Sequence, residues 1–405
     1  MSDVRPSLPR RLTSVAGGVL SLVFLVGVAV VVAGLGGRTA LPEASSAPPV
    51  AVVGAGASTE PTDPTDPPVA TPYASPTAEP TPTPEPTPLK VPSPLTGLPV
   101  TPEVAQRHPI AVMLDDLRVA RPQSGISEAS IVWHAPAEGG IPRYMAIFSD
   151  HLPKEIGPVR SARVYYLSWA AEYDAVYAHS GGSPAALALL KSQGDGSLVY
   201  DANEFYHGNG AFNRVTFRSA PHNVYTSGAR MHRLGIRLGA KDGAYESPWQ
   251  FGPDGPLEQR PYGGTITVVY PRNTITYRYD RATNTWPRAV TGEKAQTDAG
   301  NGERVAPKNV VVMFAQFTQT GDRKHRLDAD IIGSGKASIV INGRSIDGTW
   351  KKTAVKAPTQ FFDASGQPVT FTAGQTFIQV VDLGTPVTIK PGSDTPPAAS
   401  PTPSG

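Results

Sequence analysis

The chain has 405 residues, 36 basic and 34 acidic side chains, 43 Pro, 40 Gly and no Cys. At roughly 150 residues per domain this length holds two or three domains, but Pro and Gly make up about a fifth of the chain, against an average of about 12%, so part of it is not globular. The lack of Cys excludes disulfides, thiolate metal sites and a cysteine nucleophile, and the net charge of +2 argues against nucleic acid as a partner.

The cytoplasmic N-terminus is assigned to residues 1–11, which carry Arg5, Arg10 and Arg11 against Asp3. Leu12 to Gly37 is an apolar stretch rich in Val, Leu, Ala and Gly, without a charge. A spanning helix needs about 20 apolar residues, and a secretory h-region only about 7–15. The expectation is one signal-anchor transmembrane helix, with everything after Arg38 outside the cell by the positive-inside rule. The competing reading is a cleaved signal peptide ending near Ala33 or Ala40. Residues 38–92 hold fifteen prolines, with TDPTDPP and PTPTPEPTP among them. Few large apolar side chains are present, so this is a Pro/Thr-rich disordered linker. In extended polyproline II, at about 3.1 Å per residue, it reaches roughly 170 Å. A second Pro-rich, disordered segment is expected at 391–405.

Between them the pattern predicts an α+β or α/β N-terminal ectodomain, 93–260, and a β-rich C-terminal domain, 261–390. In the first, His108–Asp115, Ser130–His134 and Tyr144–Phe148 read as strands. A helix is expected from Ser161, then a strand at Val176–His179. The Gly181-Gly182 loop and Pro184 open a further helix over 185–191. In the second, Thr265–Tyr270 and Thr274–Tyr279 alternate with period two. Asn309–Phe314 and Phe377–Val381 are further strands, and Asn342-Gly343 is a hairpin turn.

Polar signals concentrate at 115–225. Asp115 and Asp116 follow the first strand. Arg121, Glu138, Arg143, Arg160, Arg163, Arg218 and His222 come with the glycine-rich run His179-Ser-Gly181-Gly182-Ser183-Pro184. A Gly-Gly-Ser-Pro loop before a helix presents backbone N–H groups and the positive end of the helix dipole to an anion. Guanidinium groups add bidentate donors for phosphate or carboxylate. If the helix starts at Arg160, Arg160 and Arg163 share a face. The competing reading pairs the arginines internally, with Asp115, Glu128, Glu172 or Asp174. His134, His179 and His222 form no metal-binding pair on a helix, and Ser180 and Ser183 lack a nucleophile elbow. Neither a metal nor a cofactor is expected. Tyr165, Tyr166 and Trp169 read as core.

The runs Pro94–Gly97, Pro109–Met113, Ala120–Gly125, Glu138–Ile141, Ile156–Arg163, His179–Pro184 and Ala220–Ser227 together resemble the YerB-like bacterial cell-surface proteins. Many members are lipoproteins, and the family is built around domains of unknown function. Gly333–Ala337, Gly348–Lys352 and Gly374–Phe377 resemble its second domain, so the likeness spans about 94–385. Two departures stand out. An apolar helix takes the place of the lipobox Cys, and Gln296-Thr-Asp298 stands where His-x-Asp is expected in relatives. The resemblance implies a bacterial membrane-anchored, extracytoplasmic protein and no particular activity. Residues and resemblance together lead to a non-catalytic protein that binds an anionic cell-wall or lipid-derived ligand, or an envelope protein partner, through the arginines and the glycine loop. The alternatives are an envelope-polymer hydrolase or transferase using Glu138, Asp115 or Asp116 and His179 or His222, and a protein–protein scaffold.

Overall fold

The computed structural model describes residues 89–396. The expected cytoplasmic segment and signal-anchor helix, nearly all of the Pro-rich linker and the end of the C-terminal tail lie outside the described residues. Among the described residues no helix is long and apolar enough to cross a membrane.

The chain forms strands β1 (Ile110–Asp115), β2 (Ile131–Ala135) and β3 (Arg143–Phe148), then helix α1 (Val164–Ala171). Next come β4 (Val176–His179), α2 (Pro184–Gln193), β5 (Tyr200–Asn203), α3 (Glu204–Ala211) and α4 (Gly228–Leu238). The remainder is strands: β6 (Thr265–Val269), β7 (Thr274–Arg278), β8 (Arg288–Val290), β9 (Asn309–Gln319) and β10 (Leu327–Asp330). They are followed by β11 (Gly333–Ile341), β12 (Arg344–Lys352), β13 (Gln360–Asp363), β14 (Thr376–Asp382) and β15 (Val387–Lys390). The fold is mostly β, with its few helices in the N-terminal segment.

An 11-stranded sheet runs in the order β13-β12-β11-β9-β14-β2-β3-β1-β4-β5, with β10 added to the end of β9. A second sheet, β8-β7-β6-β15, has four strands. The large sheet crosses the boundary that the sequence places near 261. Strand β14 pairs in parallel with β2, Thr376 opposite Ile131. The two segments therefore share one sheet. Composition changes along the chain, whereas pairing is set by which apolar edges need cover.

Strands β1, β2 and β3 are buried along their whole length. Covered on both faces, they read as continuous apolar runs. Alternate residues serve two cores. Ala111, Met113, Trp133 and Met145 pack with Tyr165, Tyr166 and Trp169 of α1; Trp133 stacks on Trp169 with ring centroids 4.6 Å apart. Val112, Val132 and Ala146 pack with Ile266 and Ile275 of the second sheet and Met231 of α4. The α1 helix is buried on nearly every side, so its sequence carries little amphipathic pattern. The C-terminal tail is ordered past 391. Ser393 pairs with Tyr262, and Asp394 forms an exposed ion pair with Arg344 at 2.6 Å.

Candidate functional site: the carboxyl ends of the parallel strands

Strand β1 runs parallel to β4, and β4 to β5; β2 runs parallel to β14, and β14 to β9. Strand β3 is antiparallel to both β1 and β2, which gives all six the same direction. Their carboxyl ends fall along one edge of the sheet, where open α/β sheets place ligands. Asp115 and Asp116 follow β1, Glu138 follows β2, the 179–183 loop follows β4, and Arg143 opens β3 opposite Asp115. The topology thus gathers the polar candidates on one edge, but it separates them into clusters with different chemistry.

The first cluster is closed. Asp116 is fully buried and accepts four hydrogen bonds: from Arg121 Nε at 3.1 Å, Tyr144 Oη at 2.9 Å, His134 Nε2 at 3.0 Å and Asn273 Nδ2 at 2.7 Å. Burial opposes its charge, but His134, Arg121 and Arg288 outweigh burial and hold the carboxyl below its ordinary range. Burial pushes the His134 pKa down, against the upward pull of the Asp116 carboxylate. Arg288, also fully buried, donates to Tyr277 Oη at 3.0 Å, Tyr144 Oη at 2.9 Å and Gln296 Oε1. Its Nη2 lies 3.4 Å from His134 Nδ1, which also contacts Gln379 Oε1 at 2.9 Å. Sequence reading passed over Arg288, which stands at the start of a short strand with no motif around it. The Gln296-Thr-Asp298 segment lies beside this network. Gln296 Nε2 donates to Gln123 Oε1 at 3.0 Å, and Asp298 accepts from the backbone N–H of Gly125 and Ser127 at 2.9 and 2.8 Å. Arg121 therefore has no free face for a ligand.

The second cluster is an internal ion triplet. Glu138 binds Arg143 Nη2 at 2.7 Å and Arg163 Nε at 2.8 Å, with a further contact to Arg163 Nη2. Both arginines are buried. Burial disfavours the Glu138 charge, but Arg143 and Arg163 prevail and bring its pKa down to about 2. A carboxyl that low has no proton to give at neutral pH and is a weak base, so Glu138 is poorly matched to acid–base catalysis. The expected shared face of Arg160 and Arg163 does not form. Arg163 is extended, with φ −136° and ψ 152°, and the helix begins only at Val164. The segment is drawn along the sheet: Val159 bridges Leu114, and Arg160 N–H donates to Met113 O. The two side chains part, Arg163 to Glu138 and Arg160 to Asp115.

The glycine loop is largely self-satisfied. His179 is fully buried, with Nε2 2.7 Å from Asp201 Oδ1 and Nδ1 2.8 Å from Gly181 O. Ser183 Oγ caps α2 by accepting from Ala186 N–H at 3.3 Å. Gly181 has φ +63°, and the ring of Phe205 covers it so closely that a Cβ there would meet Phe205 Cε2 at 2.9 Å.

The third cluster is open. Asp115 is 2% exposed, and its Oδ2 lies 2.6 Å from His222 Nδ1 and 3.0 Å from Arg160 Nε. Arg160 Nη1 donates to Pro221 O at 3.2 Å. Arg218 donates only to backbone carbonyls, Val119 O at 2.7 Å and Pro122 O at 2.8 Å. No carboxylate meets it among the described residues, and its Nε has no partner. Exposed apolar side chains stand at this rim: Phe217, whose neighbour Arg218 has its guanidinium carbon 5.9 Å from the ring centre, and Val119, whose carbonyl receives Arg218. Beyond the ends of β2, β9 and β14 the same edge continues into a cleft of about 810 Å³ lined by Pro136, Tyr270, Pro271, Phe317 and Leu327. Among the described residues no group of three or more His, Cys, Asp or Glu is arranged to hold a metal ion.

Two family profiles match this chain. The N-terminal domain described as "Protein of unknown function (DUF3048)" covers residues 95–240, and its C-terminal counterpart covers 266–378. A Bacillus subtilis (strain 168) protein named "Putative lipoprotein YerB" is 33% identical over 298 residues, which is 72% of this chain and 86% of that relative. The crystal structure of YerB protein from Bacillus subtilis superposes with a TM-score of 0.65 at 30% identity, covering 74% of this chain and all of the other.

Proposed function

We propose that this chain, which belongs to the two-domain DUF3048 family of YerB-like proteins, works at the bacterial cell envelope as a binding protein for an anionic ligand. The relative carries the name of a lipoprotein. Here the uncharged stretch Leu12–Gly37 serves as a membrane anchor, and the Pro-rich linker carries the folded part away from the membrane. The ligand sits on the open rim at the carboxyl end of β1, not on the full set of arginines that the sequence offers. Arg121, Arg143 and Arg163 are spent on Asp116 and Glu138.

The observation that carries this reading is Arg218. Its charge is met by no carboxylate among the described residues, and it sits beside exposed Phe217 and Val119. A guanidinium next to exposed apolar side chains suits a phosphate or carboxylate borne on a larger envelope molecule. The test is a thermal shift of the full chain against inorganic phosphate, sugar phosphates, polyphosphate and muropeptides, beside Arg218→Ala. A ligand that raises the melting temperature of the parent chain and not of the folded Arg218→Ala variant supports the rim. No shift with any of them, or an equal shift in both chains, rejects it.

A further inference from the structure

Hydrogen-bond accounting separates the histidines of this edge. His134 and His179 each have both ring nitrogens engaged and no exposure. His222 has only Nδ1 engaged, on Asp115; its Nε2 has no partner among the described residues, and the side chain is 17% exposed. His232 also has a carboxylate, Asp242, but that pair lies at the opposite edge, where Asp242 also receives the His108 N–H ahead of β1, and Asp242 is largely open to solvent.

The Asp115–His222 pair has the parts of a proton-transfer dyad. The carboxylate is almost fully buried and is itself fixed by the Leu117 N–H at 3.0 Å and by Arg160. It holds the imidazole in the tautomer that leaves Nε2 as a base, and it stabilises the imidazolium once Nε2 has taken a proton. Two guanidinium groups belong to this rim and suit it to an anionic substrate: Arg160, beside the same carboxylate and bonded to Pro221 O, and Arg218, on the loop that carries His222 and met by no carboxylate among the described residues. Among the described residues no serine, threonine or tyrosine hydroxyl is hydrogen-bonded to His222 Nε2, and Ser180 of the glycine loop donates to Glu204 at 3.1 Å, so water is assigned as the nucleophile.

We infer that this rim hydrolyses a phosphate diester, an inference that rests on its being an anion site. Arg160 and Arg218 hold the non-bridging phosphoryl oxygens. His222 Nε2 takes a proton from water as the hydroxide oxygen bonds to phosphorus. The bond from phosphorus to the ester oxygen on the far side breaks, that oxygen takes a proton from solvent water and leaves as an alcohol, and Nε2 gives its own proton back to solvent. The products are a phosphate monoester and an alcohol, with no oxidant, reductant or second substrate. His222 is the catalytic residue, and Asp115 is its positioning residue.

The test uses the full chain with bis(4-nitrophenyl) phosphate, reading 4-nitrophenolate release, and in parallel a thermal shift with inorganic phosphate. Turnover by the parent chain should fall on the order of 100-fold or more in His222→Gln, the usual weight of a general base. In Asp115→Asn kcat should fall with KM nearly unchanged, whereas in Arg218→Ala KM should rise. Imidazole added to His222→Ala should restore part of the rate, which no purely structural role of His222 explains. His325→Ala, at the cleft beyond β9, should match the parent. Phosphate stabilisation of both parent and His222→Gln without turnover would overturn the hydrolysis and leave the binding site standing. Neither stabilisation nor turnover would overturn both. Turnover equal in parent and His222→Gln would overturn the dyad.

Discussion

Asp115 and Asp116 are neighbours at the end of one strand, and the chain treats them in opposite ways. Successive side chains of a strand point to opposite faces. Asp116 goes into the closed core between the two sheets and is met by four donors, the buried Arg121 among them, with the buried Arg288 reaching two of those donors, Tyr144 and His134. Asp115 goes to the rim, where His222 and Arg160 approach it from the solvent side. A charge whose every lone pair is filled by fixed protein groups can hold a fold together and has nothing left for a ligand. A charge that fixes a half-open imidazole can do chemistry. The contrast is one of hydrogen-bond completeness, not of residue type, since each region has an Asp, a His and an Arg.

The contrast breaks most sharply at Asp116. Replacing it with Ala leaves Arg121, Arg288 and His134 buried without their carboxylate. Removing one partner of a buried ion pair costs about 3–5 kcal/mol, so Asp116→Ala should lose a stability of that order in urea unfolding. A loss under about 1 kcal/mol would mean that water reaches the network and that this core is not closed. Lys352 offers a second buried charge: its ammonium binds Glu172 at 2.8 Å, and neither side chain has exposure. Burial raises the Glu172 pKa and lowers that of Lys352, so each charge depends on the other. Lys352→Met should cost a similar amount and loosen α1 against β12, since Glu172 also receives Thr359 N–H at 3.0 Å.

Glu138 sharpens the comparison as an intermediate case, being paired yet a quarter exposed. Its pKa falls from 4.5 to about 2, because Arg143 and Arg163 outweigh the cost of burial. A carboxyl with a lowered folded pKa contributes stability that is full above its unfolded pKa and is lost as pH falls toward the folded one. Stability should therefore drop between about pH 4.5 and pH 2, by on the order of 3 kcal/mol at most. In Glu138→Gln that part of the acid limb should be missing. An unchanged acid limb would place the pH dependence elsewhere.

The sequence carried the strands and helices of 108–191 well, because buried strands such as Ile110–Asp115 are unbroken apolar runs and Pro184 marks a helix start. The reading of the sequence did not carry α4, although Ser227 and Gly239 cap it and its buried Met231 and Leu234 are three apart. Nor did it carry the shared sheet, since the pairing of β14 with β2 joins residues more than 240 apart. Of the site, the residue list was legible and the partition was not. Arg121, Arg160 and Arg163 look alike in sequence; Arg121 turns back to Asp116 five residues before it, and the path of the extended 156–163 segment decides which acid Arg160 and Arg163 meet. His134 and Arg288 meet from two strands, one in each sheet and 154 residues apart, and no local spacing records that.

The smallest expected effect is the most diagnostic. In His222→Gln, Asp115 keeps Arg160 and the Leu117 N–H. The substituted side chain is partly exposed and Asp115 keeps its other partners, so the loss of one hydrogen bond should cost about 1 kcal/mol. His222→Gln should therefore unfold at only a slightly lower urea concentration than the parent, whereas Asp116→Ala moves far. That pairing tests the division of labour directly. If His222→Gln lost several kcal/mol, the dyad would be a structural brace like the Asp116 network, and the rim would have no group left free to act. If it loses almost none, the imidazole is not a brace of the fold, and a fall in turnover in the same variant then reports chemistry at Nε2 and not unfolding.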